Sequence, residues 1–329
     1  MGTIGRHVTQ LSGYAPDLPT PFDDQDRLCP TEFERLCDLQ IRSGATALVV
    51  GGINGEGPNL SSSERSKLIR IAAEVSDRQV PVIADASSNN TAHAIERAKE
   101  AEANGADAIV AAVPYYNKPT REGLIAHFGA ICSATSLPLL ICDAVSRTAC
   151  ALTDETAIRL AALPGVMGLV DANGDICRPA RLRASVGGKF RLFSGDDATA
   201  PGFIAQGGDG CISVVSNTAP GLCRNLFLAA RRGERFSVAR LAQSLTRLTD
   251  AICVEANSAP LKFALALCGL MSPRVRLPLV ALSEERKAVI ASALIELSDR
   301  QPATLIAPVD AAPVRVRRHI TAVSRSATA

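Results

Sequence analysis

The sequence contains no tryptophan, and only 4% of its residues are aromatic. That scarcity argues against a nucleic-acid surface that stacks bases on rings. An excess of one charge is also missing: 35 Lys and Arg stand against 33 Asp and Glu, for a formal net charge of +2. With both signs mixed along the chain, no face is built for nucleic acid or for an anionic membrane. No apolar run reaches the ~18 residues that a membrane span requires. The opening MGTIGRHVTQ lacks the apolar core of a secretory signal. A cytoplasmic protein is expected. The four histidines are scattered and none of the ten cysteines forms a CxxC pair, so neither a metal nor a cofactor is expected. Most cysteines lie in apolar stretches, as small buried thiols in a reducing compartment do.

What the chain has is apolar mass: 47% of its 329 residues are hydrophobic, enough for a large core. That length suits one β/α barrel with an appendage. Short β-rich apolar runs alternate with amphipathic helical stretches. The runs predict strands near Tyr14–Thr20, Ala47–Gly51, Val80–Asp85, Ala108–Val113, Leu139–Asp143, Val166–Val170, Arg191–Ser194 and Gly210–Val214. Their lack of clean alternation suits strands buried on both faces. After the first run, Phe33, Leu36, Cys37 and Ile41 share one helical face, interrupted only by Gln40. Gly44 stops that helix. Ser61 and Glu64 have capping-box spacing. Eight such units close into a (β/α)8 TIM barrel. An open doubly wound sheet would prefer a glycine-rich phosphate loop after its first strand, where this chain has Pro19-Thr20-Pro21. Beyond Arg231 the pattern turns helical only. The expected division is an N-terminal segment 1–13, a barrel 14–232, a helical region 233–300 and a disordered tail 301–329 rich in Ala, Pro, Arg and Ser.

In a barrel, function sits on the loops after the strands. Those junctions read Gly52-Ile53-Asn54-Gly55-Glu56, Pro114-Tyr115-Tyr116-Asn117-Lys118-Pro119, Ser146-Arg147-Thr148 and Ser194-Gly195-Asp196-Asp197, with Ile212-Ser213-Val214 in the eighth strand. Together with the Asn257–Lys262 stretch, their order and spacing resemble the dihydrodipicolinate synthase (4-hydroxy-tetrahydrodipicolinate synthase) family, within the N-acetylneuraminate lyase superfamily. The resemblance runs from about Tyr14 to Leu297. It implies a TIM barrel with C-terminal helices, a homotetramer of tight dimers, and condensation of pyruvate with aspartate semialdehyde on the lysine branch of biosynthesis.

The chemistry implied by the resemblance needs an amine. A lysine on strand six forms a Schiff base with the pyruvate ketone, and the iminium then serves as an electron sink. The family strand has the form G-[IL]-K-[DE]-A-x-G. Here it reads Gly168-Leu169-Val170-Asp171-Ala172-Asn173-Gly174, so Val170 occupies the lysine position. Cys142 stands where the family has a proton-relaying tyrosine. Ile53 replaces the threonine that links two tyrosines, and Asn54 replaces the next one. Tyr116 matches the tyrosine that reaches into the partner subunit's site, and Arg147 the arginine that pairs with a substrate carboxylate. Gly195 and Ile212 match backbone contacts near pyruvate, while Asn54 and Gly55 could offer donors to a carboxylate. Cys142 has no His or Lys placed in sequence to lower its pKa, and is expected to be an inert thiol. Neither Lys118 nor Lys262 is placed to reach the pocket base. Three readings stay open: an active pyruvate lyase or aldolase, an inert member that binds a small keto acid or assembles with an active paralogue, and a different, imine-free chemistry. Imine catalysis is expected to be lost or very weak.

Overall fold

Small and β-branched residues fill the strands of the protein, described here by a computed structural model over residue 8 and residues 10–300. The strands are β1 Gly13–Pro16, β2 Leu48–Val50, β3 Val82–Asp85, β4 Ala108–Ala112, β5 Leu139–Asp143, β6 Val166–Asp171, β7 Arg191–Ser194 and β8 Gly210–Ser213. They form one eight-stranded sheet in the order β1-β8-β7-β6-β5-β4-β3-β2, and every pairing is parallel. β1 is shorter than the apolar run predicts because it ends at Pro16, close to the further prolines Pro19 and Pro21. The chain beyond it still seals the barrel: Asp17 bridges Val49, and the Leu18 N–H donates to the Val49 carbonyl at 2.9 Å.

Helices follow the strands on the outside. They are α1 Pro30–Arg42, α2 Ser62–Ser76, α3 Thr91–Ala103, α4 Arg121–Ala134, the single turn α5 Val145–Thr148, α6 Asp154–Ala161, α7 Arg178–Val186, α8 Ala200–Ala205 and α9 Pro220–Arg231. Caps set several starts. The Ser61 side chain accepts from the Glu64 N–H while Glu64 reaches back to the Ser61 N–H, which completes the capping box. Asn90, Thr120 and Thr153 cap α3, α4 and α6 through their side-chain oxygens alone, which accept from backbone N–H groups of the first turn. Gln40, the polar break in the apolar stripe of α1, is fully buried and donates to the Asn217 carbonyl at 3.1 Å. It thereby ties the first helix to the loop after β8.

Three apolar clusters hold these layers. Ala47, Val49, Ile83, Leu140, Met167, Val170 and Phe193 pack inside the barrel. A larger cluster fills the space between strands and outer helices. A third joins α9 to α10 Arg235–Cys253, α11 Ala259–Leu267 and α12 Glu284–Arg300. The helical region is also bolted to the barrel through charge. Lys262 on α11 donates to Glu56 Oε1 at 2.5 Å and to the Arg274 carbonyl at 2.8 Å, and lies 4.2 Å from the Phe22 ring centroid. Both charged side chains are fully buried, and burial pulls the Lys262 ammonium down to about 8. Such a pair fixes a register more than it adds stability. It holds the loop after β2 in place from behind.

Among the described residues, no helix is long and apolar enough to cross a membrane. The expected disordered tail 301–329 lies outside the described residues.

Candidate functional site

The strand ends surround one cavity of about 240 Å³. Its inner wall is apolar: Val49, Val110, Val170 and Ile212 point their side chains to it from alternate parts of the barrel. Val170 is 2% exposed, and the residue that packs on it from just past β7 is a glycine for a steric reason. A Cβ on Gly195 would stand 2.9 Å from Ala172 Cβ and 3.3 Å from Val170 Cγ1. Gly195 therefore lets β6 and β7 close together at the cavity wall.

The polar lining comes from residues just past the apolar runs. Asp17, after β1, accepts from the Asn54 side-chain amide at 2.7 Å and from the Asn54 N–H at 3.2 Å, both on Oδ2. Its other oxygen, Oδ1, is buried without a hydrogen-bond partner. Asp17 is 8% exposed, and burial pushes its carboxyl up to about 6 against the pull of Asn54 and Arg147, with Asp85 adding repulsion. Asp85 closes β3 and also lines the cavity. Burial lifts it to about 6 as well, although Ser87 donates to it through its N–H at 2.9 Å and its hydroxyl at 2.8 Å. Two carboxyl groups thus face one small cavity within Coulombic reach of each other.

Cys142, at the end of β5, also lines this cavity. Its thiol is pushed up to about 12, first by burial and then by Asp85, Asp143 and Asp17. It is a protonated thiol at neutral pH and no nucleophile. Arg147 sits in the turn α5, lines the cavity from its rim and donates through Nη1 to the Ala256 carbonyl at 2.9 Å. Its charge is felt by both Asp17 and Cys142.

The structure brings Val170, Cys142, Ile53, Asn54, Arg147, Gly195 and Ile212 to the cavity. Two other residues singled out from the sequence lie elsewhere. Tyr116 is 89% exposed and outside the lining, held outward by a backbone φ of 68°. Gly55 is wedged behind the wall: a Cβ there would meet the Leu18 carbonyl at 3.1 Å, and its own carbonyl accepts from Thr20 Oγ1 at 2.6 Å. Tyr115, not Tyr116, lines the cavity from that loop. Reasoning from the sequence missed Asp17, Asp85 and Arg97, which also line it. The signal was present for the two aspartates. Each is a charge at the C-terminal end of an apolar barrel strand, the position where chemistry concentrates in this architecture.

A second charged group braces the wall from outside. Arg178, at the start of α7, donates through Nη1 to Asp143 Oδ2 and Asp171 Oδ2, both at 2.6 Å, and through Nε to Asp154 at 3.1 Å. The guanidinium and the two nearer carboxylates are at most 5% exposed. Asp143 and Asp171 directly follow Cys142 and Val170, so one arginine clamps the ends of β5 and β6 together.

Residues 10–297 match the model of the dihydrodipicolinate synthetase family. The chain belongs to that family. The family's members include the 4-hydroxy-tetrahydrodipicolinate synthase of Acidiphilium cryptum, 41% identical over 280 residues that cover 85% of this chain and 96% of the relative. The same-named synthase of Cereibacter sphaeroides is 43% identical over 284 residues, covering 86% of this chain and 98% of the relative. Among solved family structures, a dihydrodipicolinate synthase from Acinetobacter baumannii complexed with pyruvate superposes with a TM-score of 0.85 at 34% identity, covering 88% of this chain and 99% of that one. The protein is a dihydrodipicolinate synthase-like TIM barrel, as its motifs implied.

Proposed function

We propose that this family member binds a small carboxylate-bearing molecule in the barrel cavity and does not form an imine with it. Val170 carries the reading. By the family resemblance its position belongs to the Schiff-base lysine, and a valine has no nucleophile that any environment could activate. No lysine substitutes, because none of the chain's six lysines lines the cavity. The cysteine in the wall is held protonated by burial first and then by the acidic groups around it. Arg147 at the rim supports a carboxylate ligand, since its planar fork suits that group and it carries the only guanidinium named for this role by the resemblance. Incubation with pyruvate and borohydride, followed by intact-mass and peptide analysis, is expected to leave the chain unmodified. A reduced pyruvyl adduct on any lysine would overturn the reading.

A second reading draws on Tyr116. A bulky residue with positive φ is strained, and such strain clusters at functional sites; this one is presented to solvent. It fits assembly with a related subunit, where the resemblance places this tyrosine across a dimer. Co-expression with the Acidiphilium cryptum synthase and native mass spectrometry is expected to yield mixed assemblies. Homomers alone would count against it.

A further inference from the structure

We propose that the ligand of this cavity is a small amino acid, its ammonium group held by Asp17 and Asp85 and its carboxylate by Arg147. The inference rests on the imine-free binding just described and names the ligand class. Three observations carry it. Asp17 is nine-tenths buried yet keeps one oxygen with no hydrogen-bond partner. A buried carboxylate oxygen without a donor is costly unless a donor arrives. No side chain stands in the way beside it: Gly52 lines the cavity there, and a Cβ on it would approach Asp17 Oδ1 to 2.5 Å. The second carboxylate, Asp85, faces the same space, and no arginine or lysine hydrogen-bonds to either group among the described residues.

Two carboxylates on one side and the Arg147 guanidinium at the rim make a polarised cavity; Arg97, also in the lining, and Arg65 offset part of the Asp85 charge without hydrogen-bonding to it, which leaves Asp17 as the less compensated of the two. A keto acid offers only negative charge and would meet repulsion from the two aspartates. An amino acid matches both ends. Its ammonium supplies three donors and a charge, and a charge-assisted bond of this kind is roughly twice as strong as a neutral one. The volume, about 240 Å³, is far more than a single water needs. That admits a small metabolite. A metal ion fits less well, because no group of three or more His, Cys, Asp or Glu side chains placed to hold one exists among the described residues. The apolar wall of Val49, Val110 and Val170 leaves a place for a short hydrocarbon side chain.

The experiment is a binding comparison on the full chain. Each of the standard L-amino acids is screened by thermal shift, and any that binds is compared by calorimetry with its 2-oxo counterpart, for example L-alanine with pyruvate. At least one amino acid is expected to bind at least about tenfold more tightly than its 2-oxo counterpart. Asp17→Asn and Asp85→Asn are each expected to lose about tenfold or more of that affinity while keeping a cooperative unfolding transition. Arg147→Gln is expected to weaken amino acid and keto acid alike. The proposal is overturned if no amino acid binds, if the keto acids bind as well, or if both asparagine variants bind unchanged. The borohydride result reports on a covalent mass and these measurements on equilibrium affinity, so failure of the ligand class and failure of the imine-free reading give different signals.

Discussion

Replacing Arg178 by methionine is expected to destabilise the protein by about 3–5 kcal/mol at neutral pH, a loss larger than that of removing any surface ion pair. The reason is what it leaves behind. Asp143 and Asp171 are 2% and 1% exposed in their side chains, and the Arg178 guanidinium is the counter-charge they share. Asp143 already has one oxygen without a partner, and burial holds its carboxyl above the ordinary range even with the arginine beside it. Without that cation its folded-state pKa rises further above the unfolded value. The carboxyl is then neutral and tolerated at low pH, and its stability contribution is lost as pH rises. The deficit of the variant should therefore shrink as the solution is acidified. Denaturant midpoints of wild type and Arg178→Met at pH 5 and pH 8 measure this. A companion Asp143→Asn change in the methionine background should recover part of the loss, since contacting groups couple. A cost below about 1 kcal/mol at pH 8 would mean that water reaches the two carboxylates and that Arg178 is not their clamp.

The barrel was legible because its signals are local and repeated. Four- to six-residue apolar runs such as Leu139–Asp143, alternating with capped helices such as the one after Ser61, announce strand, turn and helix without reference to distant residues. Errors fell where distant residues decide. The first strand reads as a run to Thr20 but stops at Pro16, and Asp17 then bridges across the seam to Val49. The turn α5 is a single turn with no side-chain cap hydrogen bond and no periodicity to reveal it, yet it sets Arg147 at the rim. At the site, the resemblance supplied part of the lining, including Val170 and Cys142, because motifs at strand ends map onto one face of a barrel. Asp17 and Asp85 lie outside the motifs that carry the resemblance, so it does not mark them. Lys262 shows the converse. From the sequence it is one lysine among helices. Its burial against Glu56, 206 residues away, exists only in the fold.

Asp17→Asn is expected to make the protein more stable at pH 8 by about 1–3 kcal/mol, although it alters a buried, hydrogen-bonded residue. The folded-state value of about 6 lies above the ordinary 3.8, so the folded chain holds this proton more tightly than the unfolded chain. The associated stability is complete below about pH 3.8 and is lost as pH rises through about 6. At pH 8 wild type carries the ionised, partly unpaired carboxylate in its folded state, faced by Asn54, Asp85 and Arg147. Asparagine is nearly isosteric and its side-chain carbonyl can still accept from Asn54, while the charge is gone. The gain should appear as a rise in Tm of several degrees at pH 8, at about 2–4 °C per kcal/mol, and should fall to nothing by about pH 4. A variant less stable than wild type at pH 8 would make Asp17 a structural acceptor for the loop after β2 and nothing more. A stabilised variant that no longer binds amino acids would give the aspartate its explanation: a charge unfavourable to the empty fold and relieved by the ammonium of its ligand. Val170 and Asp17 would then be two sides of one change, an amine removed from the wall of the cavity and the means to hold an amine placed within it.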